Sequence, residues 1–201
     1  MLYNRAVKIS IIRSAEDIET AYQTLSKSIV LGCDTETGGL DPRMSKLHSV
    51  QFSDGQYNVL VPTSEGIPLG RLSEILESES IVKIFHNSRF DLSFLTANGY
   101  RTFNVFDTMI AEKVITKGAN QSVSLAETLY RYFAVDLDKT QRKKFGRNWD
   151  KVWTAELVKY AMNDVVYLPE LMDEQVKWMK QLDLLNDYET MMERSLSQTN
   201  R

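Results

Sequence analysis

An α/β fold, a sheet packed by helices and followed by a helical second half, is what the residue pattern of this chain predicts. Three observations carry that expectation. Short apolar runs bounded by turn signals recur through the first half. Helix-start signals stand at Ser14-Ala-Glu-Asp17 and again at Ser124-x-x-Glu127. From Ser88 onward the residues are mostly helix-favouring, above all between Thr154 and about Leu196.

In order, Val7 to Ile12 reads as a first strand, and Ser14 opens a helix running through Ala21, Tyr22 and Leu25. Ile29 begins an apolar run with the character of a buried central strand, which meets Asp34 and Glu36 and is turned away by Gly38-Gly39. His48 to Ser53 and Tyr57 to Val61 are strands around a hairpin turn at Ser53-Asp-Gly-Gln56. Arg71 to Glu77 suggests a short helix and Ile81 to Phe85 another buried strand. Ser124 caps a helix through Leu129 and Phe133, and the stretch from Thr154 should break or kink at Pro169. There is no internal repeat, low-complexity stretch or linker. The chain therefore reads as a single domain over residues 1–201, with 174–201 a C-terminal helical extension.

Composition narrows the possibilities. The chain has 201 residues, 43% hydrophobic and 25% charged, enough for a large core. A net charge of −3 and a pI near 5.5 argue against charge-driven coating of nucleic acid, while leaving room for a local basic groove. The single Cys33 cannot form an internal disulfide, and inside an apolar run it reads as a packed core thiol in a reducing compartment. Met1 to Ser10 carries Arg5 and Lys8 without an apolar signal core, and no run approaches the ~18 apolar residues of a membrane span. No membrane partner and a cytoplasmic location are expected. Two distant His residues argue against zinc.

Side chains alternate along a strand, so Asp34 and Glu36 share one face and Thr35 takes the other. Two adjacent acids repel and are costly to bury, unless solvent or a cation neutralises them. Hard all-oxygen sites suit Mg²⁺ or Mn²⁺. Taken alone, such a pair is more often a solvated strand end. After the strand ending at Phe85 comes His86-Asn-Ser-Arg-Phe-Asp91; a helix opened by Ser88 puts Asn87 and Asp91 one turn apart near its start and facing roughly the same way, with Asp91 toward the pocket of Asp34. In Tyr160-Ala-Met-Asn-Asp164 the Tyr and the Asp are neighbours on one helix face. Each also has a plain structural reading: Asp91 as an acid favoured at a helix N-terminus, Tyr160 as an interfacial core aromatic, Asp164 as a solvated helix acid.

Together and in this order, D-x-E, N-x-x-x-D and Y-x-x-x-D resemble the three motifs of the DEDDy 3′→5′ exonucleases. That family includes the proofreading domain of family A DNA polymerases and the ribonuclease D and Werner-type exonucleases. The resemblance runs from roughly Ile29 to Asp173 and extends to Phe106-Asp-Thr-Met-Ile-Ala111 and Ser124-Leu-Ala126. Leu137-Asp-Lys-Thr140, Trp149 and Tyr160-Ala161 look most like ribonuclease D, whereas its Ser-Asp-Trp-Ser-x-Arg-Pro-Leu-Ser stretch is represented only loosely around Phe145 to Thr154. The related class with a catalytic His places it five residues before the last Asp, where this chain has Lys159, so the Tyr class is the better match.

The resemblance implies a ribonuclease H-like mixed sheet flanked by helices and a site for two divalent cations, Mg²⁺ or Mn²⁺. By that analogy Asp34 bridges both ions, Glu36 and Asp164 hold the ion nearer the nucleophile, and Asp91 supports the second through water. Tyr160 matches the residue that positions the attacking water; an ordinary phenol titrates near pH ~10, so it orients rather than acts as a standing base. Leu40 matches an apolar wedge beside the 3′-terminal base, though a Leu after Gly-Gly is also an ordinary core anchor. Thr37, Asn87 and Phe90 match positions around the terminal nucleotide, where contact and structural support stand level. Asp107 reads as a helix N-cap with Thr108 rather than a fifth ligand. His86 matches no catalytic role, and His48 is a strand residue without assignment.

Lys139, Arg142, Lys143, Lys144, Arg147 and Lys151 stand against one acid, Asp150, with Tyr130, Tyr132, Phe133, Phe145 and Trp149 interleaved or close. This segment is either a solvated loop or the phosphate-contacting patch a net-negative nuclease needs, with Arg142, Lys143 and Lys144 at its centre. The resulting expectation is an exonuclease releasing nucleoside 5′-monophosphates from single-stranded or frayed 3′ ends, DNA somewhat favoured over RNA. The alternatives are a proofreading domain of a larger polymerase, ribonuclease D-like RNA 3′-end processing, and a catalytically inactive nucleic-acid-binding domain. The first draws on Leu182-x-x-Leu185-x-x-Tyr188-Glu189-x-x-Met192, which resembles the segment leading into a polymerase region.

Overall fold

Local signals set most element boundaries in the computed structural model, which describes residues 8–137, 144–145 and 149–199. Strand β1 (Lys8–Ile11) leads into α1 (Ala15–Leu25), whose N-cap Ser14 accepts the Asp17 N–H at 3.1 Å. β2 (Val30–Thr37) carries the two acids and continues through Glu36 to Thr37. β3 (Leu47–Ser53) and β4 (Tyr57–Val61) form the expected hairpin, where Gly55 takes φ 90° and Asp54 accepts the backbone N–H groups of Gln56 and Tyr57. Then follow α2 (Leu72–Glu77), β5 (Val82–Phe85) and α3 (Ser88–Ala97).

The reading of the chain beyond Ser88 as mostly helical holds, with one strand that it did not name. β6 (Val105–Asp107) extends the sheet beside β5, with Lys83 opposite Val105 and Phe85 opposite Asp107. Three residues are too few to show a period, so only pairing with β5 defines this strand. After it come α4 (Thr108–Ile115) and α5 (Leu125–Phe133), the latter capped by Ser124 as its capping-box pattern predicts. The long helical stretch is divided into α6 (Ala155–Asn163), α7 (Leu168–Gln181) and α8 (Leu185–Thr199). The first break precedes Pro169 rather than falling on it. Pro169 sits in the first turn of α7, where its missing N–H has no intrahelical partner to lose. The second break, at Asp183 with φ 56°, carries no Gly or Pro to announce it.

The sheet order is β1-β4-β3-β2-β5-β6, with β2 antiparallel to β3 and parallel to β5. It is thus a mixed, helix-flanked sheet of the ribonuclease H-like kind. Helices cover both faces. Leu31, Cys33 and Phe52 pack with Ile18, Ala21, Ile75, Leu92 and Phe94 of α1, α2 and α3. Ile84 and Leu60 pack with Ile110, Val158, Met162, Leu168, Met179 and Met192 of α4, α6, α7 and α8. Cys33 is fully buried and its thiol is pushed up by burial, an inert core group. Tyr188 of α8 stacks on Phe106 at 4.8 Å and so ties the C-terminal helix to β6. Among the described residues no helix is long and apolar enough to cross a membrane.

Candidate active site

The alternation of β2 decides which layer each acid meets. Leu31, Cys33 and Thr35 face α1–α3, whereas Val30, Gly32, Asp34 and Glu36 face the α6–α7 layer. At Gly32 the two layers come unusually close: a Cβ there would lie 2.4 Å from the Val165 carbonyl oxygen and 3.1 Å from Leu168 Cβ. The missing side chain lets the α6–α7 turn rest on the strand, and Asp164, one residue before Val165, arrives beside Asp34. Carboxylate oxygens of Asp34, Glu36 and Asp164 lie within 4.8 Å of one another. Asp164 is the C-cap of α6 rather than an interior residue, but its φ −77° and ψ −14° remain helical, which keeps Tyr160 one turn earlier on the same face.

Asp91 reaches the site from the other side of the strand. It lies in the first turn of α3, is 2% exposed, and its Oδ1 accepts from the Thr35 N–H at 3.0 Å and from Thr35 Oγ1 at 2.7 Å. The expectation that Asn87 and Asp91 face the same way is not met. Asn87 is the N-cap with φ 74°, its side chain makes no cap hydrogen bond, and it is exposed while Asp91 is buried.

These placements set the electrostatics. Burial, followed by the charges of Asp91, Asp164 and Glu36, raises the Asp34 carboxyl well above the usual carboxylate range. Burial pushes Asp91 up to about 7, against the hydrogen bonds from Thr35 that favour its ionised form. The donor set is all oxygen, crowded and negative, the chemistry that suits hard divalent cations.

Asp107 is an N-cap, as its context predicts, and it caps two helices. Its carboxylate accepts from Met109 and Ile110 N–H at the start of α4, and from Asn87 N–H, Ser88 N–H and Ser88 Oγ at the start of α3. Its own N–H donates to the Tyr188 hydroxyl at 2.9 Å. His86 bonds Thr108 through Nδ1, and burial lowers its pKa to about 4.

Two polar residues near the acids escaped the sequence reading. Ser49 and Gln51 stand opposite Glu36 and Asp34 in the β2–β3 register, both fully buried. Gln51 Nε2 donates to Ser49 Oγ at 2.6 Å, and Gln51 Oε1 has no hydrogen-bond partner among the described residues. The signal was available: Ser49, Gln51 and Ser53 alternate along a strand buried over its whole length. Just beyond Glu36 the register shifts at His48, which is buried against Trp149 rather than simply filling a strand position.

The other expected substrate contacts differ in exposure. Leu40 is 82% exposed, so the core-anchor reading fails; Met44 stands exposed on the same β2–β3 loop. Thr37 Oγ1 donates to the Gly39 carbonyl at 2.8 Å, inside that loop. Phe90 is half-buried against the first core, 5.1 Å from Phe94. Lys144 is exposed, while Arg142 and Lys143, with Lys139 and Arg147, lie outside the described residues. Tyr160 is half-buried and lines a cleft of about 400 Å³ with Val135, Leu137, Glu156, Lys159, Asn163 and Tyr167.

Comparison with known proteins identifies the family. The family described as 3′-5′ exonuclease matches residues 9–179. Ribonuclease D of Bartonella henselae is 28% identical over 191 residues, covering 92% of this chain and 45% of that protein. DNA polymerase I of Aquifex aeolicus is 28% identical over 173 residues, covering 86% of this chain and 28% of the polymerase. The chain thus spans less than half the length of either relative. The solved structure of Brucella melitensis NrnC with bound Mg²⁺ superposes with a TM-score of 0.76 at 23% identity, covering 96% of this chain and 90% of that one, a likeness of fold.

Proposed function

This chain belongs to the 3′-5′ exonuclease family, and we propose that it removes nucleoside 5′-monophosphates from single-stranded or frayed RNA 3′ ends, using two divalent cations held by Asp34, Glu36, Asp91 and Asp164. The observation that carries this reading is the meeting of the Asp34, Glu36 and Asp164 carboxylates within 4.8 Å, beside the buried Asp91. Mg²⁺ or Mn²⁺ bound there would supply Lewis-acid activation of water and charge stabilisation at the leaving 3′-oxygen. A structure of NrnC with Mg²⁺ supports the choice of metal. Asp34, flanked by acids on both sides of its strand, is the group suited to bridging. Asp91, oriented by Thr35, backs the second position. Tyr160, one turn before Asp164, orients the attacking water through its hydroxyl. Leu40, standing out from its loop, abuts the terminal base, and the exposed Asn87 amide contacts the terminal nucleotide. Thr37 and Phe90, already engaged within the protein, support that contact surface. Arg142, Lys143 and Lys144 hold the backbone of the substrate. The buried thiol of Cys33 fits a reducing compartment such as the cytoplasm.

RNA is favoured by the ribonuclease D relative, which matches 92% of the chain. The expectation of a DNA preference finds no support. DNA is the second reading, because DNA polymerase I is equally identical at 28%. Matched 3′-labelled RNA and DNA oligonucleotides decide between them. The expected result is stepwise release of 5′-monophosphates, faster on RNA, abolished by EDTA and restored by excess Mg²⁺ or Mn²⁺. Faster turnover of DNA selects the second reading, and binding without hydrolysis of either polymer selects the inactive-domain alternative.

A further inference from the structure

We propose that Phe145 is a positioning residue for Tyr160, holding the phenol ring in the orientation that presents its hydroxyl to the acid cluster. The proposal rests on the reading of Tyr160 as the residue that orients the attacking water. Phe145 is 3% exposed, and its ring centroid lies 6.0 Å from that of Tyr160 at 36°. That separation is within the range over which aromatic side chains pair. Phe145 also packs against two indoles, Trp149 at 5.1 Å and Trp153 at 5.4 Å, which meet edge-on at 5.0 Å. Trp149 is braced in turn on His48 at 4.7 Å. His48 sits at the register shift of β3, next to the residue paired with Glu36. A continuous train of rings therefore runs from the sheet beside the acids to the α6 residue that has to be aimed at them.

The cleft beside Tyr160 leaves its ring room to move, and the contact with Phe145 restricts that movement. The ring lines the cleft of about 400 Å³, whose walls include Val135, Leu137 and Tyr167. A tyrosine side chain on a helix chooses among staggered rotamers, and with room beside it the unbraced ring spreads over more than one of them. Turnover then falls with the fraction of molecules whose hydroxyl is correctly aimed, while substrate contacts made elsewhere stay intact.

The test is a double-mutant cycle on purified, folded protein, reading kcat and KM separately. Phe145→Ala should lower kcat by roughly 10-fold and leave KM within about 2-fold. In a Tyr160→Phe background the same change should have almost no further effect, because there is no hydroxyl left to aim. Phe145→Leu, which refills most of the volume, should recover much of the turnover. If Phe145→Ala unfolds the protein, Phe145→Val, which leaves more of the ring's volume empty than leucine does, carries the comparison in both backgrounds. An equal loss in both backgrounds, or wild-type kcat in Phe145→Ala (in Phe145→Val where the alanine variant unfolds) with a slow Tyr160→Phe enzyme, overturns this proposal alone. Wild-type turnover in Tyr160→Phe overturns it together with the water-orienting reading.

Discussion

At the scale of single residues, Asp34 and Asp91 carry the site's conflict between burial and charge. Asp91 titrates near pH 7 in the folded chain against an ordinary 3.8, and Asp34 is shifted in the same direction. A folded state that binds its protons more tightly is favoured at low pH. The contribution is fully present below about pH 4 and is lost as pH rises through the folded value. In EDTA, therefore, replacing Asp34 with Ala should stabilise the protein more at pH 8 than at pH 5, because the charge it removes exists chiefly at the higher pH. Thermal melts of wild type and Asp34→Ala at the two pH values check the difference; a gap independent of pH would show that Asp34 is not ionising against its neighbours. The same substitution should remove nearly all nuclease activity. At pH 8, Mg²⁺ should raise the melting temperature of the wild type and barely move that of Asp34→Ala, since only a state that binds the ion is stabilised by it.

At the scale of elements, two contacts decide whether the acids meet. Gly32 lets the α6–α7 turn lie against β2. Gly32→Ala would drive a methyl group into the Val165 carbonyl, so the turn must retreat and carry Asp164 away from Asp34. A loss of about 1–3 kcal/mol of stability is expected, with a fall in turnover that persists at temperatures where the variant is fully folded. Normal turnover in a folded Gly32→Ala protein would show that Asp164 tolerates displacement. Asp107 joins the starts of α3 and α4, and α3 carries Asp91. Asp107→Ala leaves the N–H groups of Ser88, Met109 and Ile110 without their acceptor and should cost about 2–4 kcal/mol. Denaturant unfolding measures this, and a loss below about 0.5 kcal/mol would mean water replaces the cap.

At the scale of the whole molecule, the proposed function requires a net charge of −3 to coexist with binding a polyanion. The cation-rich stretch from Lys139 to Lys151 is where the sequence concentrates the compensating charge. Neutralising Arg142, Lys143 and Lys144 together should weaken oligonucleotide binding and flatten its salt dependence, which for single strands has a log–log slope of about −0.7 per phosphate contacted. Filter or anisotropy titrations from low to moderate salt provide the slope; an unchanged slope returns the segment to an ordinary solvated loop.

What the amino-acid order determined by itself was everything that depends on near neighbours. The caps at Ser14 and Ser124, the hairpin around Gly55, the shared face of Asp34 and Glu36 and the one-turn spacing of Tyr160 and Asp164 follow from periods of two and 3.6 residues. The order and spacing of the three motifs pointed to the family by their resemblance to it. The tertiary structure alone decided the rest. Asp91 meets Thr35 across 56 residues of chain, from the face of β2 opposite to Asp34. β6 exists only because β5 pairs with it, and Asp164 reaches the acids only because Gly32 leaves space for the turn that follows. Phe145 touches Tyr160 through a ring cluster that begins on another strand. Such contacts join residues remote in sequence, and no local period encodes them; packing the two helical layers onto the sheet is what brings them together.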